Sequence, residues 1–174
     1  MDCEGWAGSH LGARGFRPLA EVITLTKSDR ALPDAGKVGV SLRSASDVDA
    51  PAVVAVDRAA FTPHWWRGEA TVCRRIVVSS RFTVSEAADA VVGYADGELC
   101  LPAAHLNRIA VHPDHQGHGV GTLLLRDALC AFWEQGAERV ALNTQAGNRR
   151  SRRLYRRFGF EPTGDVMTAW ELQL

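Results

Sequence analysis

The densest chemical signal in the chain is the run Gln116-Gly117-His118-Gly119-Val120-Gly121. It follows an apolar segment ending at Val111 and precedes Leu125, Ala128, Leu129 and Phe132, which recur at helical spacing. The first turn of a helix carries N–H groups with no intrahelical acceptor, and the helix dipole is positive there. Glycines at 117, 119 and 121 remove side chains that would hold an anion away from those amides. The run therefore reads as a cradle for a pyrophosphate. Alone the pattern is common, and any one of these glycines reads equally as a loop or a helix start. Two other nucleotide motifs do not fit. A Walker-type loop needs Gly-Lys-Ser/Thr, and no lysine stands here. A dinucleotide fingerprint needs G-x-G-x-x-G directly after a strand. These glycines are spaced G-x-G-x-G, and seven residues separate Ile109 from Gly117.

The company of the run narrows the reading. Leu106-Asn107-Arg108-Ile109-Ala110-Val111-His112-Pro113 leads into it, and Asn148, Ser151, Leu154-Tyr155 and Gly159-Phe160 follow. With Q/R-x-x-G-x-G/A, this combination resembles the GNAT acetyltransferase superfamily, nearest the branch of the ribosomal-protein-alanine N-acetyltransferases. The resemblance spans about residues 38–172. It is carried by 105–122 and 143–160 and is faint before residue 90.

The resemblance implies an α/β fold (α+β in some schemes): a mixed, twisted central sheet with helices on both faces and a V-shaped splay between two central strands. It implies transfer of acetyl from acetyl-CoA to an amine by direct attack. For the donor it nominates Gln116, Gly117, His118, Gly119, Val120 and Gly121, with Thr122 adding a hydroxyl. It further nominates Ile109 and Val111 as main-chain contacts to the pantetheine arm, and Asn148. It makes Tyr155 the general acid. A phenol of pKa about 10 stays protonated at neutral pH and can reprotonate a departing thiolate. The plainer reading of Tyr155 is a core aromatic with a satisfied hydroxyl. Where many members carry a glutamate on the strand before the loop, this chain has His105. That histidine reads either as a general base, directly or through water, or as a structural residue. Strand alternation would set His105 on one face with Asn107, Ile109 and Val111. Trp65 and Trp66 border the expected acceptor site and are the candidates for substrate contact, with packing as the alternative. Two rival functions stand beside this one: an acyltransferase using a longer acyl-CoA, and a non-catalytic acyl-CoA-binding sensor.

These residues need elements to position them. Leu19 to Leu25 and Val38 to Arg43 read as strands, Ser46 to Phe61 and Glu69 to Val77 as helices. Strands follow at Phe82 to Ser85, Val91 to Leu99 and His105 to Val111, with Asp96-Gly97 expected as a turn. A helix from Val120 to Gln135, a strand from Arg139 to Asn143, a helix from Asn148 to Phe158 and a strand from Val166 to Leu172 complete the pattern. Residues 1–36 read as an otherwise irregular arm and 37–174 as the acetyltransferase domain. The arm carries an echo: Gly15-Phe16-Arg17-Pro18 and Val22-Ile23-Thr24 parallel Gly159-Phe160-Glu161-Pro162 and Val166-Met167-Thr168. It reads either as coincidence or as the tail of an upstream copy, now an extra strand or a swapped arm.

Bulk properties exclude more than they assign. With 174 residues, the length suits one domain. Lys plus Arg and Asp plus Glu are 20 each, so net charge makes no case for nucleic acid. The crowded arginines 149, 150, 152, 153, 156 and 157 read as a solvated helix face, from which one or two can reach a CoA phosphate. His112, His115 and His118 lie in the expected phosphate loop, so no metal is expected there. Cys3, Cys73, Cys100 and Cys130 form no C-x-x-C pair and read as reduced thiols. No apolar run nears the roughly 18 residues of a membrane span, and Asp2 and Glu4 do not suit a secretory leader. The expectation is a cytoplasmic monomer or homodimer, with acetyl-CoA and an amine as partners and no membrane.

Overall fold

The fold is described from a computed structural model over residues 3–36 and 38–172. Helix α1 (Cys3–Gly12) and strand β1 (Phe16–Lys27) open it. Then come β2 (Ser41–Ser44), α2 (Ala50–Ala60), α3 (Glu69–Val78), β3 (Arg81–Ala87), β4 (Ala90–Cys100) and β5 (Ala103–Val111). The chain continues through α4 (Val120–Glu134), β6 (Arg139–Gln145), α5 (Arg149–Arg157) and β7 (Glu161–Leu172).

Local chemistry sets these bounds. Ser46 and Asp49 form a capping box, and Pro51 occupies the first turn of α2, where a missing N–H does no harm. Gly136 (φ 94°) and Gly159 (φ 79°) take left-handed backbone just beyond α4 and α5. The seven strands form one sheet in the order β2-β3-β4-β5-β6-β1-β7, antiparallel except for β5 and β6. Each face buries its own core. Leu124, Leu125, Leu129 and Phe132 of α4 pack with Leu106, Leu142, Tyr155 and Phe158. Val53 and Val56 of α2 pack with Val72, Phe82, Val84 and Tyr94. Mixed strands and helices on both faces are the architecture the resemblance implied.

Two local expectations are corrected. Residues 3–36 are less irregular than expected: a helix precedes the expected strand, which enters the sheet and runs for twelve residues. Glycine content hid the helix. Asp96-Gly97 is not a turn either. The β3–β4 turn is Ala88-Asp89, both at positive φ (47° and 65°), as a two-residue hairpin demands. Asp96 sits mid-strand, buried, its carboxylate bonded by Arg67 (2.5 Å) and Arg75 (2.9 Å). A Cβ on Gly97 would lie 2.5 Å from Phe132 Cζ and 2.6 Å from the His105 carbonyl, so packing selects this glycine.

Candidate active site

Strands β5 and β6 pair only from Ala103↔Arg139 to Leu106↔Leu142. Beyond Leu106 they part. The cause lies on the other edge of β5, where Asp96 pairs with Arg108 but Gly97 pairs with Leu106. Asn107 is the extra residue of a bulge, which bends its strand and re-aims the following side chains. The expected alternation from His105 to Val111 is therefore broken at Asn107. The sequence did carry a sign of it: Asn107 and Arg108 are consecutive polar residues between Leu106 and Ile109, against a period of two.

Two cavities open from the splay. The larger, about 430 Å³, is lined by Ile109, Ala110 and Val111 of β5, by Gln116, Gly117, Gly119, Gly121 and Thr122, and by residues of α5. Helical bonding in α4 starts with the Leu123 N–H on the Gly119 carbonyl (3.0 Å), which leaves the preceding amides at the positive end without helical acceptors. Gly117 and Gly119 both adopt left-handed backbone (φ 86° and 87°). A Cβ on Gly117 would meet nothing within 4 Å, whereas one on Gly119 would press the Val38 side chain at 3.0 Å. Gln116 donates to the Val111 carbonyl (2.8 Å) and accepts from Arg150, fixing the loop between β5 and α5. These features fit a pyrophosphate. His118 and Val120 do not line the cavity: the His118 side chain is exposed and Val120 is in the core.

The smaller cavity, about 200 Å³, lies in the splay itself. Asn107, Arg108 and Ile109 form one wall, Asn143, Thr144 and Gln145 the other, and Tyr155 stands with Asn148 and Ser151 at α5. Val22, Phe61, Trp65 and Leu106 close it. Phe61, Ile109, Asn148 and Ser151 line both cavities, so the two adjoin. Asn148 also caps α5, its side-chain oxygen accepting from the Ser151 N–H (3.1 Å). Tyr155 is 5% exposed and stacks edge-on with Phe160 at 5.8 Å. Burial raises its phenol well above the ordinary tyrosine value, and a Ser151 hydrogen bond pulls weakly the other way.

Trp65 and Trp66 separate. Trp65 lines the smaller cavity. Trp66 lines neither: its indole N–H donates to the Phe61 carbonyl (2.8 Å) and its ring lies beneath Arg58. His105 also lines neither cavity, and burial lowers its imidazole below the ordinary value. A buried cluster absent from the sequence reading supports the floor. Asp57 accepts two bonds from Arg108 (2.9 and 3.0 Å), one from the Tyr94 hydroxyl (2.5 Å) and one from the Arg67 amide (2.9 Å). Arg108 also donates to the Trp65 carbonyl and lies over the Phe61 ring at 3.7 Å. No local pattern pairs Asp57 on a helix with Arg108 on a distant strand, so only the fold reveals it.

The family model for the acetyltransferase (GNAT) family matches residues 51–160, more than half of the chain. The chain belongs to that family. Among curated relatives, the putative ribosomal protein bS18-alanine N-acetyltransferase of Bacillus subtilis (strain 168) is 28% identical over 85 residues, 49% of this chain and 56% of the relative. The mycothiol acetyltransferase of Propionibacterium freudenreichii subsp. shermanii is 29% identical over 174 residues, 91% of this chain and 55% of the relative. The chain thus spans little more than half the length of these two. Solved structures share the fold. The GCN5-related N-acetyltransferase from Sphaerobacter thermophilus superposes with TM-score 0.72 at 19% identity, covering 94% of this chain and 55% of that one. The ribosomal-protein-S18-alanine N-acetyltransferase from Escherichia coli gives 0.62 at 21%, covering 78% and 96%.

Proposed function

We propose that this acetyltransferase-family protein moves the acetyl group of acetyl-CoA onto the neutral form of an α-amine, a peptide N-terminus or a small molecule of similar basicity. The observation that carries the reading is the junction of the two cavities at Ile109 and Ser151, with Tyr155 in the wall. The larger cavity holds the donor. The open amides of the Gly117–Thr122 turn, with Arg150, receive its pyrophosphate, and the unpaired edge of β5 receives the pantetheine arm. The smaller cavity holds the amine.

The amine nitrogen attacks the thioester carbonyl carbon. Main-chain N–H groups along the splayed edge of β5 stabilise the oxyanion. As the tetrahedral adduct collapses, the C–S bond breaks with its electron pair on sulfur. Tyr155, kept protonated by burial, donates its proton to that thiolate. The proton released by the amine leaves to solvent, and a proton taken up from solvent restores the Tyr155 phenol before the next turnover.

The lining of the smaller cavity supports this acceptor class: none of its residues is Asp, Glu, His or Lys. Without a carboxylate or imidazole in the wall, the amine must arrive neutral. An α-amine of pKa about 8 has roughly a tenth of its population neutral at pH 7, whereas a lysine amine near 10.4 has almost none. Asn107, Asn143, Gln145 and Asn148 ring the cavity, and the buried Asn107 Nδ2 has no hydrogen-bond partner. A carbonyl next to the reacting amine would supply one. Cys73, Cys100 and Cys130 are free thiols, which fits the cytoplasm as the working compartment.

Calorimetric titration with acetyl-CoA, hexanoyl-CoA, CoA and NAD tests the donor. Micromolar binding of acetyl-CoA and none of NAD is expected. A panel of α-amines against Nα-blocked lysine and a polyamine then tests the acceptor, with Tyr155→Phe as control. Absence of acetyl-CoA binding removes the proposal. Preference for the polyamine removes the acceptor class alone.

A further inference from the structure

Helix α5 has two faces, and its six arginines are divided between them. Arg150 and Arg157 turn with Ser151 and Leu154 toward the larger cavity of the splay. Arg149, Arg152, Arg153 and Arg156 lie three or four positions apart on the opposite face. They border a separate cavity of about 320 Å³, set over Leu25 and Phe160. It shares no lining residue with either cavity of the splay.

These four guanidinium groups have no acidic partners. Arg43, Arg67, Arg75, Arg81 and Arg108 each pair with a carboxylate. Among the described residues, none of Arg149, Arg152, Arg153 and Arg156 does so. Arg152 donates to the Ala146 carbonyl (2.8 Å). All four residues are exposed, whereas Leu25 and Phe160 beneath them are buried, so a ligand entering here meets arginine side chains and not the core. The arrangement costs the helix stability. Like charges three or four residues apart repel along its surface. Arg149 and Arg152 also stand near its start, where the dipole is already positive and no acid balances it. A bound anion relieves both strains.

We propose that this cavity on the outer face of α5 binds a compact oligophosphate, either the phosphate chain of a free nucleotide or a short inorganic chain. Guanidinium groups bond phosphate oxygens in pairs, with a planar fork that a carboxylate-free cavity leaves open to the ligand. A short phosphate chain concentrates its charge in a volume that the cavity can hold. The basic surface spans one face of a nine-residue helix, which suits such a chain better than a nucleic-acid strand, whose backbone asks for a longer basic track.

The larger cavity of the splay is an anion seat as well, and the two are separable by residue. Arg150 stands on that cavity, while Arg153 and Arg156 stand on the outer one. CoA competes for the first and leaves the second free.

Calorimetric titration of the full chain with tripolyphosphate, before and after saturation with CoA, tests this. One equivalent should still bind to the CoA-saturated protein. Arg153→Gln/Arg156→Gln should weaken that binding at least roughly tenfold, and Arg150→Gln by less than about twofold. The exchanged side chains are exposed and repel one another, so the double variant should melt no lower than the parent. Should it fail to fold, Arg149→Gln/Arg152→Gln makes the same comparison. Citrate at matched ionic strength should bind at least about tenfold more weakly than tripolyphosphate. ATP then distinguishes the source: tighter binding than tripolyphosphate points to a nucleotide, equal or weaker binding to the inorganic chain. Loss of all tripolyphosphate binding on CoA saturation overturns the proposal. So does a double variant that binds like the parent, or citrate binding as tightly as the phosphate chain. If CoA itself does not bind, the variants still decide: binding lost in Arg150→Gln and kept in the double variant overturns the outer site.

Discussion

Leu106 on β5 and Leu142 on β6 are the last pair that holds these two parallel strands together. One residue later the bulge at Asn107 turns β5 away, and the opening becomes the smaller cavity. A single inserted residue thus opens the smaller cavity, with Tyr155 in its wall.

Tyr155→Phe tests the proposed proton donor. The ring keeps its contact with Phe160, so packing changes little. Loss of general acid catalysis should lower kcat by about 10²–10³-fold. Acetyl-CoA affinity should stay within about twofold, because uniform binding is untouched. Steady-state kinetics and calorimetry on the same preparation check both halves.

The pH profile separates a histidine base from a self-neutralising amine. Burial lowers His105, so a base role would place the acidic limb of kcat/KM below the ordinary histidine value of about 6.5. An amine that enters neutral places that limb near its own pKa, about 8 for an α-amine. Tyr155 is raised, so its acid form persists past pH 10 and adds no alkaline fall below that point. We expect a limb that moves with the pKa of the acceptor and that His105→Gln leaves in place.

The larger cavity was far more legible in the sequence than the smaller one, for a physical reason. Anion binding by a helix start is local: the glycines, the preceding strand and the helix lie within Ile109 to Phe132, and the structure assembles them in that order. The smaller cavity takes residues from β1, the loop after α2, β5, β6 and α5, which meet only through the topology. Asn107, Asn143 and Gln145 carry no motif. Val22 enters the wall only because β1 inserts between β6 and β7, a position its strand propensity does not encode. Asp96-Gly97 misled for a related reason. The pair has strong turn propensity, but the two arginine partners of buried Asp96 and the Phe132 ring against Gly97 overrode it.

Gly119→Val tests the pyrophosphate seat. The position has φ 87°, where a β-branched residue is strained, and its Cβ would press Val38 at 3.0 Å. Either the turn or the 38–40 segment must shift, moving the amides. Acetyl-CoA binding should weaken by more than about tenfold, against about threefold to tenfold for Arg150→Ala, which removes one charge and leaves the backbone in place. Calorimetry separates the two.

The last prediction concerns the floor of the smaller cavity. Asp57 is fully buried, and Arg108 supplies its counter-charge while touching Phe61 and the Trp65 carbonyl. Removing one partner of a buried pair leaves the other uncompensated, which costs about 3–5 kcal/mol. Arg108→Met should therefore lower unfolding free energy by that order in urea titrations. Asp57→Asn keeps the shape and some of the hydrogen bonds, so it should lose less. Because Arg108 grips the loop carrying Phe61 and Trp65, a folded Arg108→Lys chain should raise KM for the amine several-fold more than it lowers kcat. Lysine keeps the charge but lacks the planar fork that bonds Asp57 and Trp65 together. Equal falls in kcat and kcat/KM would instead place Arg108 at the reacting atoms.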